Sequence, residues 1–277
     1  MGPSPGRAPV SWQGMAYHAD PESENPIHQD RPARRHGFEA GLVPGATIYA
    51  YLVHPALVAW GEPWLSTGHG KITLHKPFYD GERLTVKLSQ ASPAGYSAEL
   101  VDKDGTVRAS GEVHREAPDD EDLPTYRGAK PAPEPHERPT ATPETLRRLQ
   151  SDGLGSCDVP WRGVAPYERY LHNGDAMPST VRVDQFAFAN PSFAVNAANA
   201  LLMANVRLGP WLHLESDVQH HATIALGRTL HVEGEILDVF EKGGHQLVDF
   251  LALGFRSPSE LAVTIRHRAI YQLRDPR

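Results

Sequence analysis

Residues 24–30 read Glu24-Asn25-Pro26-Ile27-His28-Gln29-Asp30, and the chain continues through Gly37-Phe38 to Gly41-Leu42-Val43-Pro44-Gly45. Behind Gly45 lies a mostly apolar run, Ala46 to Trp60, that predicts a helix. The first amides of a helix have no intrahelical acceptor, and the aligned peptide dipoles leave a partial positive charge beside them. A carbonyl oxygen brought against those amides would be polarised, and a histidine just upstream could move a proton. Glycine at that place would let the backbone come close to a ligand, although a plain turn glycine is an equally good reading of Gly45.

The stretch resembles the MaoC-like hydratases and dehydratases of the hotdog fold. Their signature runs roughly Asp-x-Asn-Pro-x-His-x-Asp, then Gly-Phe, then His-Gly at the start of the central helix. Asn25, Pro26, His28, Asp30, Gly37, Phe38 and Gly45 match it, while Ser23 and Pro44 stand where the family has Asp and His. The resemblance implies an α+β double hotdog, two helix-plus-antiparallel-sheet repeats sharing one continuous sheet. It implies water addition to a 2-enoyl thioester, or water loss from a 3-hydroxyacyl thioester. His28 would transfer the proton, the Gly45 N–H would hold the thioester oxygen, and Ser23 and Asn25 would order the water or the loop. Phe38, Val43 and Tyr49 would wall the acyl channel. Arg34, in the basic cluster Arg34-Arg35-His36, is either solvated surface or a contact for the phosphates of coenzyme A or a phosphopantetheine arm. The implied partner is an acyl-CoA or acyl-carrier-protein thioester, with no cofactor and no metal. A second copy of the chain is a further candidate partner.

Ser23 can orient a water or an imidazole but cannot act as a carboxylate base. Glu24, Asp20 or Glu22 would have to substitute, or His28 would have to act alone, or dehydration is not the reaction. A non-catalytic acyl-CoA-binding protein would tolerate Ser23. A thioesterase would want a carboxylate on or near the first helix, and none lies between Ala46 and Trp60. Asp30 suits two tasks, capping a turn over Arg31 to Arg35 or orienting His28.

Composition narrows the class further. The 277 residues carry a net charge of -7, which argues against a nucleic-acid partner. No apolar run reaches the length of a membrane span, and the Gly- and Pro-rich start lacks the apolar core of a signal peptide, so a cytoplasmic protein is expected. Cys157 is the single cysteine, so no intramolecular disulfide can form. His213, His220 and His221 have no carboxylate or cysteine at ligand spacing, and adjacent strand residues face opposite ways.

The chain reads as two copies of one plan. In the first, residues 1–115, the helix is followed by strand-like runs at Gly70 to Leu74, Leu84 to Leu88, Tyr96 to Val101 and Val107 to Val113. Pro55 predicts a kink or break in the helix. In the second, residues 179–277, Val181 to Phe188 alternates, Asn190 or Ser192 caps a helix through Met203, and runs recur at Leu212 to Gln219, Leu230 to Phe240, Gln246 to Phe255 and Leu261 to Leu273. Pro63-Trp64-Leu65 matches Pro210-Trp211-Leu212 (211 − 64 = 147), and Gly81 with Leu84 matches Gly227 with Leu230 (230 − 84 = 146). Residues 116–178 form a Pro-rich connector with one short helix near Pro143 to Leu149, expected to cross the back of the sheet. The second copy has no Asn-Pro-x-His-x-Asp element, so it reads as the non-catalytic half, helping to shape the channel. Its helix carries Asn196 and Asn199, which need partners in a ligand cavity or between the repeats.

Overall fold

The computed structural model describes residues 7–18, 23–116, 123–163, 169–185 and 188–274. In chain order they form β1 (Trp12–Met15), α1 (Asp30–Arg35), α2 (Gly45–Trp60), α3 (Trp64–Thr67), β2 (His69–Leu74), β3 (Arg83–Ser89), β4 (Gly95–Asp102) and β5 (Val107–His114). Then come α4 (Pro143–Asp152), β6 (Cys157–Pro160), α5 (Pro191–Asn205), β7 (Leu212–His220), β8 (Thr229–Lys242), β9 (His245–Ser257) and β10 (Glu260–Gln272). The strands make one ten-stranded sheet in the order β1-β3-β4-β5-β2-β7-β10-β9-β8-β6. The second five repeat the first five in reverse, as a two-fold axis between β2 and β7 requires. The two halves join where β2 and β7 pair antiparallel, His69 opposite Gln219 and Thr73 opposite Glu215.

The internal symmetry reaches individual hydrogen bonds. Ala16 N–H donates to Glu82 O and Gly81 N–H to Ala16 O; Trp161 N–H donates to Arg228 O and Gly227 N–H to Trp161 O. Both glycines adopt positive φ, 76° and 80°, which a side chain would resist. The isolated bridges Leu42 with Tyr79 and Phe188 with Ala225 are likewise equivalent, since 188 − 42 and 225 − 79 both give 146. This explains why the alternation from Val181 to Phe188 produces no strand among the described residues. Ser179–Val181 is a 3-10 turn, Phe188 makes a single bridge as Leu42 does, and Phe186 lies outside the described residues.

The helices α2 and α5 fill the concavity. Every position of α2 from Ala46 to Leu57 is buried, the pattern of a helix enclosed on all sides. Enclosure also explains why α2 runs as one helix through Pro55. The proline removes the donor to the Tyr51 carbonyl, and the Tyr96 hydroxyl donates to the neighbouring Leu52 carbonyl at 2.8 Å. The chain between the halves does more than connect them. It supplies edge strand β6, paired with β8, and Leu146, Val159, Trp161 and Tyr170 to the shared core. It also lays Tyr126 on the outer face of the sheet against Leu251, Leu253 and Phe255. Lys242 and His245 close the β8–β9 hairpin across Gly243 and Gly244, both at positive φ.

Histidines are unusually numerous in this interior. Burial pushes the imidazoles of His28 and His54 down to about 4, those of His213 and His220 down to about 3, and that of His267 well below the usual range. In the unfolded chain these rings take up protons near pH 6.5, so their contribution to stability is complete above that value and is lost as pH falls below it. Calorimetry should find a melting temperature that is flat from pH 7 to 8 and falls steadily between pH 6.5 and 4. Each such ring adds a slope of up to about 1.4 kcal/mol per pH unit. An unchanged melting temperature down to pH 4.5 would show that the rings are not held neutral.

Candidate active site at the junction of the halves

A cavity of about 550 Å³ opens where the start of α2 meets α5 and the beginning of β7. His28, Asn25, Val43 and Gly45 line it from the first half; Asn196, Asn199, Met203, Trp211 and His213 line it from the second.

Asn25 caps a 3-10 turn over Pro26–His28, accepting the Ile27 N–H at 3.2 Å, with Pro26 at the first position of the turn. The turn aims the His28 ring at the next loop, where Nδ1 lies 2.8 Å from the Leu42 carbonyl oxygen. A carbonyl can only accept, so Nδ1 carries the proton and Nε2 keeps its lone pair. The Asn25 amide nitrogen approaches that lone pair at 3.4 Å. Burial lowers the imidazole pKa to about 4; the Leu42 carbonyl works against this and His18 adds to it. The ring is therefore a neutral acceptor at physiological pH.

The loop that holds His28 is itself pinned. Asp30 accepts the Gly41 N–H at 2.9 Å and pairs with Arg34 at 3.0 Å. It thus fixes the segment bearing Leu42 and does not touch the His28 ring. A Cβ on Gly41 would stand 2.1 Å from the His28 carbonyl oxygen, so only glycine permits this approach. Across the junction, Asn25 Oδ1 accepts the Trp211 N–H at 3.3 Å and its amide nitrogen donates to the Trp211 carbonyl at 3.0 Å. One carboxamide thus ties the histidine turn to the second half.

Gly45 is the first residue of α2. The N–H groups of Thr47 and Ile48 both donate to Pro44 O, which leaves the amides of Gly45 and Ala46 outside the helix ladder. The space a side chain would take at Gly45 is already filled: a Cβ there would lie 2.3 Å from His213 Nδ1 and 2.7 Å from Leu74 Cδ1. His213 Nε2 is 2.8 Å from Ser216 Oγ, which is 2.8 Å from His267 Nδ1, and the two rings stack with centroids 4.3 Å apart. Sequence reasoning weighed His213 only as a metal ligand and missed it here. Its one hint was the Pro210-Trp211-Leu212 match directly before it.

The other expected residues divide. Ser23 lines the cavity, but its hydroxyl accepts the Asn25 N–H at 3.3 Å. Glu24 is exposed and is the only carboxylate among the described lining residues. Phe38 and Val43 are on the wall. Tyr49 is not: it is fully buried with its hydroxyl pressed on β2, where a Cβ on Gly70 would meet it at 2.7 Å. Thr47 and Ile48 line the cavity instead, because Tyr49 is rotated about 100° onward from Ile48 around the helix. Arg34 also lies off the cavity, donating to Asp30 and to the Glu39 carbonyl on the exposed side of α1. Asp20 and Glu22 lie outside the described residues. Asn196 and Asn199 line the cavity.

No family model matches the chain, and no curated protein matches its sequence. Solved structures match its shape. A double-hotdog protein of Mycobacterium tuberculosis, described as essential for bacterial survival during infection, is 13% identical with a TM-score of 0.57, the match covering 96% of each chain. The dehydratase domain of PpsC from the same organism, solved in complex with C12:1-CoA, is 12% identical with a TM-score of 0.52, covering 97% of this chain and 98% of that one. A hotdog-fold protein of unknown function from Alicyclobacillus acidocaldarius is 10% identical with a TM-score of 0.50, covering 95% and 94%. At these identities the likeness is one of fold, and the fold is the double hotdog. No helix is long and apolar enough to cross a membrane among the described residues.

Gly45→Ala should destabilise the protein by about 1–3 kcal/mol, because its methyl collides with His213 and Leu74. Adding His213→Ala should recover part of that loss, so the double variant is more stable than the two single effects predict. Strict additivity in denaturant melts would show that the two residues are not in contact.

Proposed function

We propose that this chain binds an acyl thioester with its carbonyl at the start of α2, and that it adds water to a 2-enoyl thioester or removes it from a 3-hydroxyacyl thioester. The observation that carries the reading is the fixed tautomer of His28: Nδ1–H is committed to Leu42, and Nε2, which the Asn25 amide approaches at 3.4 Å, is the proton-accepting nitrogen of a ring that lines the cavity. The PpsC dehydratase domain, bound to an acyl-CoA on the same fold, supports the choice of ligand.

In hydration, Nε2 takes a proton from water while the oxygen bonds to C3 of the enoyl chain. The double-bond electrons shift toward the thioester carbonyl, whose oxygen becomes an enolate. The Gly45 amide donates to that oxygen, a contact worth about 3 kcal/mol. The proton on Nε2 then passes to C2, which restores the thioester and the neutral ring. Dehydration runs the same steps backward. Asn25 positions the turn and shares the Nε2 face.

Ser23 sets the expected rate. With no carboxylate assisting His28, turnover should sit about 10²–10⁴ below a site with an Asp–His pair. A second reading, a non-catalytic acyl-thioester-binding protein, is favoured by that same serine. A thioesterase is disfavoured by the absence of any carboxylate in α2.

Purified protein should hydrate a 2-enoyl-CoA, followed as loss of enoyl absorbance. His28→Ala should lower turnover by at least about 10² while saturated acyl-CoA binding persists, and Ser23→Asp should raise it. Because the His28 imidazole titrates at about 4, kcat/KM should be level from pH 5.5 to 8 and fall only in stronger acid. Undiminished turnover in His28→Ala would refute the mechanism. Binding without turnover at any chain length would leave the second reading.

A further inference from the structure

We infer that Asn196 and Asn199 make the cavity selective for an acyl chain bearing a further oxygen, a hydroxyl or keto group beyond C3, over a plain hydrocarbon chain. The inference rests on the acyl-thioester reading above and names the kind of acyl group.

Helix α5 presents Asn196, Asn199, Ala200 and Met203 to the cavity. That spacing is one face of a helix, and it spans about 10 Å along the axis. The Asn199 amide nitrogen donates to Asn196 Oδ1 at 3.2 Å. This leaves two polar atoms, one at the wall and one just behind it. Asn196 Nδ2 has no protein partner among the described residues and is not sealed from the cavity. Asn199 Oδ1 is buried with no partner. A hydroxyl oxygen on the acyl chain can accept from Asn196 Nδ2, and after a small side-chain shift its proton can go to Asn199 Oδ1. A keto oxygen can satisfy the first. A saturated chain would strip water from Asn196 Nδ2 and return nothing, which costs about tenfold in affinity, and it would leave the already dry Asn199 Oδ1 unpaired.

Helix packing gives no reason for these amides. By the internal repeat (offset 146 from the bridges Leu42–Tyr79 and Phe188–Ala225), the equivalent positions of α2 are Ala50 and Val53, both buried and apolar. Asparagine is also a weaker helix former than alanine.

Titration calorimetry with three coenzyme A esters of one length tests this: hexanoyl-CoA, 5-hydroxyhexanoyl-CoA and 6-hydroxyhexanoyl-CoA, none of which the proposed reaction consumes. At least one hydroxylated ester should bind with a Kd about tenfold or more below that of hexanoyl-CoA. In the double variant Asn196→Leu, Asn199→Leu, shown to be folded by its melting curve, hexanoyl-CoA should bind as tightly as either hydroxylated ester or more tightly. Equal affinities in the unaltered protein, or a hydroxyl preference that survives the double substitution, would overturn the inference. Tight hexanoyl-CoA binding with no hydroxyl preference removes this inference alone. Failure of all three esters to bind removes it together with the acyl-thioester reading. Should the double variant not fold, Asn196→Ala and Asn199→Ala singly carry the same comparison.

Discussion

The carboxamide of Asn25 is the contact on which the site depends. Its oxygen accepts from Ile27 and Trp211, and its nitrogen donates to the Trp211 carbonyl and approaches His28 Nε2. An amide has one acceptor end and one donor end, and here both are used at once on Trp211, 186 positions further along the chain. Removing it would leave the Trp211 N–H and C=O unpaired in a buried place, and such groups are expensive to abandon. The turn that carries His28 would then lose its register against β7. The pairing of β2 with β7 sets the halves side by side, and Asn25 fixes the finer alignment that the cavity needs.

Much of this was legible in the sequence, for physical reasons. Helices and strands follow from local periodicity, so the helix ending at Trp60 and the long strands of the second half were readable. Gly81 and Gly227 marked equivalent turns because only glycine is comfortable at their φ. What stayed hidden was what depends on distant neighbours. Four residues at Trp12–Met15 and four at Cys157–Pro160 are too few to show a period, yet each pairs at a sheet edge. Pro55 signals a break only until burial on every side is known. Tyr49 and Arg34 have the right chemistry for a pocket wall, but the rotation of α2 and the exposed side of α1 turn them away. His213 reaches Gly45 only because the halves fold together, so no local spacing announces it.

The two halves share a plan and differ where chemistry would occur. Asn173 caps a 3-10 turn over Gly174–Ala176 by accepting the Asp175 N–H, just as Asn25 does over Pro26–His28. Ala176 ends that turn where His28 ends the first. At the start of α5, Pro191 has no N–H to offer, and Asn190 Oδ1 takes both the amide and the hydroxyl of Ser192. The first helix begins with free amides and a histidine nearby, and the second begins capped.

That inequality has a consequence for how such a protein can change. In an assembly of two identical half-length chains, any substitution is made in both copies, and a polar residue useful on one helix is imposed on the other. Within a single polypeptide the copies vary independently. The asparagines of α5 therefore coexist with Ala50 and Val53 at the equivalent, buried positions of α2, and among the described residues only α5 brings amide side chains to the chamber from within a helix. Fusion thus makes possible a lopsided interior that no pair of identical chains related by an exact dyad could present.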